Sequence, residues 1–430
     1  MQLPANHVAR FALTNEVHAR PYEALEPPER AFHLAVMVEP DERAGERSHV
    51  LGLCERYGIG APPEDAIHFS LDFGPFRLRW ERHSEFTTYT FFARGDPSEP
   101  FAKPATDRVP PEWLAAIPGR TLVAAHAALM ARDWPLPPPA DIAGLFGGNT
   151  VVGAEIGDGA GVAFTDFRIH ADGASRFLVV DRALSRRQAS RMLQRLFEIE
   201  TYRVLALLAL PIARDASPEL GALERQLAAV TATLAEPKDS DEKLLDELTH
   251  LAARGERLIA ASRYRFGAAR AYYDIVERRV AELRERRLPG TQTVEEFMGR
   301  RLAPAMATIE SVGRRELELS ERVARASRLL STRVDVARER QNQELLASMD
   351  RRARLQLRLQ ETVEGLSVAA ITYYVVGLVG YAAKALKASG AAVNPDIAMG
   401  AAIPIVAVVA ALGVRHIRRT VVRAQRSDAL

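Results

Sequence analysis

Apolar and polar positions follow three different patterns along the chain. Over residues 1–183, short apolar runs alternate with clusters of turn residues, which is typical of strands and hairpins. Beyond them, apolar residues recur every three or four positions, as on one face of a helix. Near the C-terminus, residues 366–386 and 397–414 lack a polar face. The chain is therefore predicted to contain a sheet, then long amphipathic helices, then two apolar helices.

The N-terminal pattern predicts an α+β domain with an antiparallel sheet. The run "FHLAVMVE" is typical of a strand, and a helical pattern follows it over residues 41–57. The segment "FRLRWERHSEFTTYTFFAR" alternates polar and apolar side chains, as expected for one or two antiparallel strands. The segment "NTVVGAEIGDGAGVAFTDFRIHADGASRFLVVD" is consistent with three strands joined by the turns "GDGAG" and "HADGAS".

The middle of the chain is predicted to be helical. The segment "SRRQASRMLQRLFEIETYRVLALLALPIARDA" is interpreted as one helix, and residues 218–236 and 240–287 as an antiparallel pair. After "LPGTQTVEEF", Thr293 and Glu296 have the spacing of a capping box that begins a new helix.

Residues 314–364 contain no glycine or proline, and a continuous helix of that length would extend roughly 75 Å. Its apolar positions form a narrow stripe that slips in phase, which indicates a stalk with an imperfect coiled-coil seam. Since no break precedes Gly365, the stalk is expected to continue into the first apolar run. The stripe comprises Val312, Leu319, Val323, Ala326, Leu330, Val334 and Ala337, then Leu345, Met349, Leu355, Leu359 and Val363.

Both C-terminal apolar runs have about the length needed to cross a hydrocarbon core. Arginines flank the pair on both outer sides, whereas the connecting loop carries only Lys384 and Lys387. The two runs are then expected to cross a bacterial inner membrane, and the positive-inside rule places both termini on its cytoplasmic side. The flanking arginines are Arg351, Arg352, Arg354 and Arg358 before the first run and Arg415, Arg418, Arg419, Arg423 and Arg426 after the second.

Small residues recur in the first apolar run at helical spacing, which favours close helix packing and a homo-oligomer in the lipid bilayer. The small residues are Ala370, Gly377 and Gly380, and Tyr373 and Lys384 lie on the same stripe. The predicted organisation is a cytosolic domain (1–183), a helical region with an antiparallel pair (184–300), a stalk (301–364), a first membrane helix (365–388), an outer loop (389–396), a second membrane helix (397–414) and a basic tail (415–430).

Composition narrows the functional classes. A net charge of +2 gives no indication of a nucleic-acid partner. The single cysteine, Cys54, excludes an intramolecular disulfide and any multi-cysteine metal site, and its apolar surroundings favour a small buried side chain over a catalytic thiol. The start "MQLPANHVARF" has no basic region followed by an apolar run, so we expect most of the chain in the cytosol.

Two short segments combine histidine with carboxylates. The first is "NEVHARPYEAL", with Glu16 and His18; Pro21 disfavours helical geometry at the preceding arginine, so we interpret this segment as a structural clasp where a helix ends. In "WERHSEF", an extended backbone would place Glu81, His83 and Glu85 on one face, where they would form either a solvated charged face or a divalent-cation site. No phosphate loop, GxSxG, HExxH or DxDxDG motif accompanies them, so no catalytic residue is assigned.

Five longer runs are distinctive in combination: "NEVHARPYEAL", "DFGPFRLRWERHSEFTTYTFF", "LFGGNTVVG", "LPGTQTVEEFMGRRLAPAM" and "LQETVEGLSVAAITYYVVGLVGYAAKAL". Together they resemble a bacterial family of uncharacterised membrane-anchored proteins of unknown function. The resemblance extends over essentially the whole chain and implies an integral membrane protein without an assigned activity.

The order of domains is also similar to that of CorA-type magnesium channels, in which five copies line an ion path with the first span. That resemblance implies Thr372, Tyr373, Gly377 and Gly380 as pore-lining candidates. The family's Gly-Met-Asn motif is missing here, because the corresponding place has the sequence "VGLVGYAAKAL".

Three hypotheses follow. The first is an oligomeric, membrane-anchored scaffold or sensor with a large cytosolic domain. The second is a CorA-like channel or transporter, with a divalent cation as the candidate cargo. The third is a metal-dependent enzyme that uses Glu16, His18, Glu81, His83 and Glu85.

Overall fold

The computed structural model describes residues 4–11, 13–14, 23–64, 66–96, 98–234, 241–390, 392 and 394–427. The chain groups into two compact units, Met1–Arg328 and Leu329–Leu430. The first unit contains the sheet and most of the helices. The second contains the C-terminal apolar helices.

The first unit is built on a nine-stranded sheet with the order β2-β3-β4-β1-β5-β8-β7-β6-β9. Neighbouring strands are antiparallel except β5 and β8, which run parallel, so the predicted antiparallel sheet is in fact mixed. The strands are β1 (Glu29–Met37), β2 (His68–Asp72), β3 (Arg77–Arg82), β4 (Phe86–Arg94), β5 (Arg120–Met130), β6 (Val152–Ile156), β7 (Gly161–Thr165), β8 (Ser175–Asp181) and β9 (Arg286–Arg287).

One edge of the sheet comes from the helical part of the sequence. The short strand β9 pairs with β6 through Arg286–Glu155 and Arg287–Ala154. The three predicted strands of "NTVVG…LVVD" are confirmed as the meander β6–β7–β8. The helical segments before and after β9 therefore belong to the same compact unit as the sheet.

Nine helices accompany the sheet in the described residues. They are α1 (Arg43–Tyr57), α2 (Pro111–Ala115), α3 (Pro139–Leu145), α4 (Arg186–Leu207), α5 (Ala209–Leu234), α6 (Asp241–Leu283), α7 (Val294–Arg301), α8 (Ala303–Ala388) and α9 (Pro395–Ser427). A short 3-10 helix spans Ala105–Arg108.

The prediction of one helix from "SRRQASR" to "IARDA" is wrong. Helix α4 ends at Leu207 and α5 begins at Ala209, so the predicted segment is divided between two helices. Pro211 lies in the first turn of α5, where a backbone N–H would have no partner within the helix, and proline is tolerated there. Helices α5 and α6 pack against each other as the predicted pair.

Large apolar side chains fill the sheet face beneath α1. They include Leu34 of β1, Leu78 and Trp80 of β3, and Tyr89 and Phe91 of β4, which pack with Val50 and Leu53 of α1. A second cluster under α3 includes Met130, Ile142, Phe146 and Phe164. Alternation along each strand sends the intervening side chains to the opposite face, where α4 packs on β5 and β8.

Two predictions for the C-terminal half are confirmed. Thr293 and Glu296 form the capping box at the start of α7, with the Glu296 amide donating to Thr293 Oγ1 at 3.1 Å. Helix α8 is continuous from Ala303 to Ala388 and includes Gly365 without a break. Two of the helices, α8 and α9, contain stretches that are long and apolar enough to cross a membrane.

Candidate functional site

A cleft of about 280 Å³ lies between the polar face of the sheet and helices α4 and α6. Strand alternation supplies its floor, because the residues between the buried aromatic side chains of β3 and β4 point away from α1. The lining residues are His33, Arg79, Glu81, His83, Phe86, Thr88, Thr90, Phe92, Ser190, Leu193, Gln194, Phe197, Glu198, Thr201, Tyr202 and Arg279.

Arg79 anchors the floor of the cleft. Its side chain is only 8% exposed and forms an ion pair with Glu81 at 2.8 Å. The same guanidinium donates to the side-chain oxygen of Gln194 on α4 at 3.0 Å. A buried guanidinium needs such partners because desolvating an unpaired charge is costly. Arg79 therefore connects β3 to α4 across the cleft.

The helical wall continues this polar network. Gln194 donates its amide hydrogen to Glu198 Oε1 at 2.7 Å, and Glu198 also accepts from Arg279 of α6. Arg279 in turn donates to Glu282 at 2.9 Å, and Glu282 accepts from Arg195 at 2.8 Å. Positive and negative groups thus alternate from the sheet through α4 to α6.

His33 lies at the inner end of the cleft as a neutral side chain. Its Nδ1 is 2.8 Å from the Thr90 hydroxyl and its Nε2 is 3.1 Å from the Thr201 hydroxyl. The ring stacks on Phe197 with a centroid distance of 4.8 Å. Burial, with smaller contributions from His83 and Arg79, lowers the pKa of His33 to about 3. Such a weak base suits hydrogen bonding better than proton abstraction at neutral pH.

Thr88 supplies a polar group that none of the described residues satisfies. The residue is 4% exposed, it lines the cleft, and its hydroxyl has no hydrogen-bond partner among the described residues. Buried hydroxyl groups are normally hydrogen-bonded, because leaving one unpaired costs about 1–3 kcal/mol. The hydroxyl of Thr88 is therefore positioned to bind a molecule in the cleft.

The three residues predicted to share a strand face do not converge. Residues 83–85 form the turn between β3 and β4, so the premise of an extended "WERHSEF" is wrong. Glu81 pairs with Arg79, and the His83 ring stacks on Phe86 at 4.3 Å. Glu85 instead contacts α6. The favoured interpretation of a solvated face is also wrong for Glu81, because α4 covers that part of the sheet.

Glu85 joins the β3–β4 turn to α6. It accepts hydrogen bonds from the hydroxyls of Tyr264 and Tyr272, the latter at 2.9 Å, and pairs with Arg265 at 2.9 Å. Burial opposes ionisation, but the two tyrosine hydrogen bonds and the charge of Arg265 outweigh it and lower the pKa of Glu85. Glu85 is thus a structural ion-pair partner in this arrangement.

The described residues contain no group of three or more histidine, cysteine or carboxylate side chains with the geometry of a metal site. Glu16 and His18 lie outside the described residues, so their part in the predicted metal set stays a prediction. Cys54 is 1% exposed on α1, and burial raises the pKa of its thiol. It packs with Val50 and Leu53 as a small apolar side chain.

Among the residues that line the cleft, local sequence patterns single out only Glu81 and His83. The alternation in "FRLRWERH" indicates that Arg79 and Glu81 share a face, but Gln194 lies 115 positions after Arg79. The charged pairs "RR" in α4 and "ER" in α6 are typical of ordinary solvent-exposed helix surfaces. The nearest local signal is "FTTYTFF", where alternation places Thr88 and Thr90 together on one face of a strand rich in aromatic residues.

In the second unit, the channel candidates divide between two environments. Thr372, Tyr373 and Gly377 line an open apolar groove along α8 and α9. Gly380 faces the Met399 side chain of α9, since a Cβ built there would be 2.5 Å from Met399 Sδ. Their role as pore-lining residues stays a prediction.

The chain belongs to a family described as protein of unknown function (DUF3422), whose family model matches residues 5–421. No curated protein and no solved structure matches the chain. The resemblance to CorA-type channels therefore stays a prediction.

Proposed function

We propose that this DUF3422 protein is a membrane-anchored sensor whose cytosolic domain binds a small molecule in the cleft between the sheet and α4. The observation that carries the proposal is the cleft itself: a buried polar sheet face with the unpartnered hydroxyl of Thr88 directed into it. Concave sites with a few convergent polar groups and aromatic walls are typical of ligand binding.

The anchor consists of the apolar parts of α8 and α9, which cross the inner membrane as a hairpin. Both helices meet the requirements of length and composition. The arginines outside the pair, and the two lysines in the loop, favour cytoplasmic termini and a short outer loop. The first unit would then lie in the cytoplasm, where small metabolites are available to the cleft.

The sensor assembles as a parallel homo-oligomer through the stalk. Membrane insertion gives every copy the same orientation, so the stalks of two copies would run in parallel. Along residues 345–363, one stripe of large apolar side chains is exposed in the single chain: Leu345 60%, Met349 58%, Leu355 65%, Leu359 67% and Val363 56%. A second stalk would cover this stripe as a coiled-coil seam.

Contacts within the first unit connect the cleft to α8. Arg279 brings α6 to the edge of the cleft. Farther along α6, Ser262 donates to Glu316 of α8 at 2.7 Å, and Glu256 accepts from Ser320 of α8 at 2.9 Å. A ligand that displaces Arg279 would act on a helix that packs directly on α8, which is the helix that leads into the membrane anchor.

The test uses the full chain in lipid nanodiscs and a library of small polar metabolites. We expect at least one compound to raise the melting temperature of the wild-type protein but not of Gln194→Trp, in which a large side chain occupies the cleft. Arg187→Trp, on the exposed side of α4, is the matched control and should respond like the wild type. The proposal is refuted if no compound raises the melting temperature of the wild type more than that of Gln194→Trp.

A CorA-like channel is the second candidate. It is supported by the groove that brings together Thr372, Tyr373 and Gly377, three residues of the predicted pore lining. Liposomes that contain the purified protein should then pass magnesium ions faster than empty liposomes. A flux equal to that of empty liposomes, or a protein that is monomeric in lipid, would rule this candidate out.

A further inference from the structure

The arginine and glutamate charges that line the cleft cancel each other. Arg79 and Arg279 provide two positive charges, and Glu81 and Glu198 provide two negative ones. His33 adds none, because its pKa lies far below neutral pH. A phosphate or a metal ion would bring an uncompensated charge into this balanced site, and the desolvation of such a charge is expensive.

These charges cancel because positive and negative side chains lie apart in the cleft, and not because its side chains are neutral. Arg79 lies on the sheet floor, whereas Glu198 lies on the helical wall, and Gln194 bridges them with one hydrogen bond to each. The amide of Gln194 thus presents an oxygen to the cation and an N–H to the anion. A ligand with a carboxylate and an ammonium group carries the same pattern at full charge.

We propose that the cleft binds a small zwitterion, an α-amino acid or a close relative, with its carboxylate on Arg79 and the Thr88 hydroxyl and its ammonium group on Glu198. This inference rests on the proposed function and specifies the ligand class of the same site. The ligand takes the place of the Gln194 bridge, so that Arg79 and Glu198 each exchange a neutral partner for a charged one.

The carboxylate end is defined by donors. Arg79 has a planar guanidinium that can bind both oxygens of a carboxylate, and its contact with the neutral Gln194 is weaker than its ion pair with Glu81. The Thr88 hydroxyl, which has no protein partner, donates to the same group. Among the described residues that line the cleft, the Thr88 hydroxyl is the one buried side-chain group without a hydrogen-bond partner. Ligand binding would supply that partner.

The remaining walls accommodate an apolar side chain. Phe86, Phe197 and Leu193 line the cleft beside the charged groups, and Phe86 meets Tyr202 edge to face at 6.0 Å. A volume of 280 Å³ corresponds to about nine water molecules at the density of the liquid. This space suits a single amino acid and is too small for a peptide of several residues.

The experiment measures binding to the full chain in nanodiscs by calorimetry. The probes are L-leucine and L-phenylalanine, each with an analogue that lacks only the amino group and an analogue that lacks only the carboxylate. We expect at least one amino acid to bind, and each of its two analogues to bind at least about tenfold more weakly because one charged contact is lost.

A matched pair of threonine variants locates the site. Thr88→Val removes the hydroxyl that faces the cleft and should weaken amino-acid binding about tenfold. Thr87→Val is the control: Thr87 is equally buried and its hydroxyl is equally unpartnered, but its side chain points to the opposite face of β4. It should leave binding unchanged. Equal effects of the two variants would contradict the assigned position of the carboxylate.

The outcomes separate the ligand class from the function. If neither amino acid binds, or if an analogue without one of the charges binds as tightly, the zwitterion proposal is wrong. A metabolite from the library that still binds in a manner sensitive to Gln194→Trp would leave the sensor function standing with another ligand. If no compound binds in a manner that is sensitive to Gln194→Trp, both the sensor function and the zwitterion proposal are wrong.

Discussion

The two units of the chain differ in how far their large apolar side chains are exposed. In the first, Leu78 and Phe91 are completely buried beneath α1. In the second, Leu346 is 64% exposed and Val409 is 63% exposed, although both lie in long regular helices. Burial of such side chains stabilises the first unit, because burying one leucine contributes about 1.5–3 kcal/mol to the free energy of folding.

Charged groups show the reverse distribution. The first unit buries Arg79 and Glu316, half-buries Glu85, and provides partners for most of their polar atoms. In the described part of the second unit, charges lie before, between and after the apolar runs, apart from Lys384 near the end of the first run. One chain is thus divided between a part organised around buried polar contacts and a part whose large apolar side chains are exposed.

Truncating one leucine in each unit should give the largest difference. Leu78→Ala creates a cavity in a fully buried position and is expected to lower the free energy of unfolding by about 2–5 kcal/mol. Leu346→Ala removes an exposed side chain outside the predicted stalk seam, so its effect should stay within about 0.5 kcal/mol. Denaturant unfolding of the full chain in detergent measures both. Similar losses in the two variants would contradict the contrast.

Glu85→Gln tests the buried charges of the first unit. It weakens contacts with Tyr264, Arg265 and Tyr272, and should cost about 1.5–3 kcal/mol at neutral pH. Because the folded protein lowers the pKa of Glu85, its contribution is present above the ordinary pKa and is lost as the pH falls through the folded value. The wild-type and variant stabilities should converge in acid. A pH-independent difference would exclude ionisation as the cause.

Gly380→Leu tests packing within the second unit. A side chain at this position meets Met399 and should force α8 and α9 apart, at a cost of about 1–3 kcal/mol. Gly377→Leu is the matched control, since no atom lies within 4 Å of a Cβ built there. Spin labels at Leu378 and Val409 in nanodiscs should report a longer distance only for Gly380→Leu. Equal distances in both variants would contradict the observed helix contact.

Glu316→Gln should have the smallest effect, of opposite sign. Glu316 is buried on α8 with Ser262 as its hydrogen-bond partner and one oxygen unpaired, and burial raises its pKa. The folded protein therefore holds a proton that the unfolded chain releases, so wild-type stability falls as the pH rises from the ordinary value to the folded pKa.

Glutamine should then stabilise the protein by about 1 kcal/mol at neutral pH, and the gain should vanish in acid. Glu318→Gln, two positions away on the exposed side of α8, is the control and should change little. Thermal unfolding across a pH series measures both variants. A loss of stability in Glu316→Gln at neutral pH would show that the carboxylate is needed in its charged form.

Local sequence patterns were sufficient for the elements that depend on neighbouring residues. The capping box of Thr293 and Glu296, the hairpin turns of the β6–β7–β8 meander and the unbroken helix through Gly365 all follow from short-range chemistry. The parallel pairing of β5 with β8 could not be predicted, because its partners, such as Ala125 and Ser175, are distant in sequence and leave no local signal.

The cleft escaped prediction for the same reason. Alternation along β3 identifies Arg79 and Glu81 as neighbours on one face, but a single strand gives no information about what covers that face. The cover is α4, which brings Gln194 and Glu198 to the sheet from more than a hundred positions away. Of the three residues predicted from "WERHSEF", Glu81 pairs with Arg79 in the cleft, whereas Glu85 attaches the β3–β4 turn to α6.

The most direct test of the account is the structure of the full chain, purified from its native membrane and imaged in lipid nanodiscs. The account predicts non-protein density in the cleft between Thr88, Gln194 and Phe197, together with the apolar parts of α8 and α9 inside the lipid. A cleft that is filled only by the protein's own side chains, with residues 366–414 outside the bilayer, would contradict it.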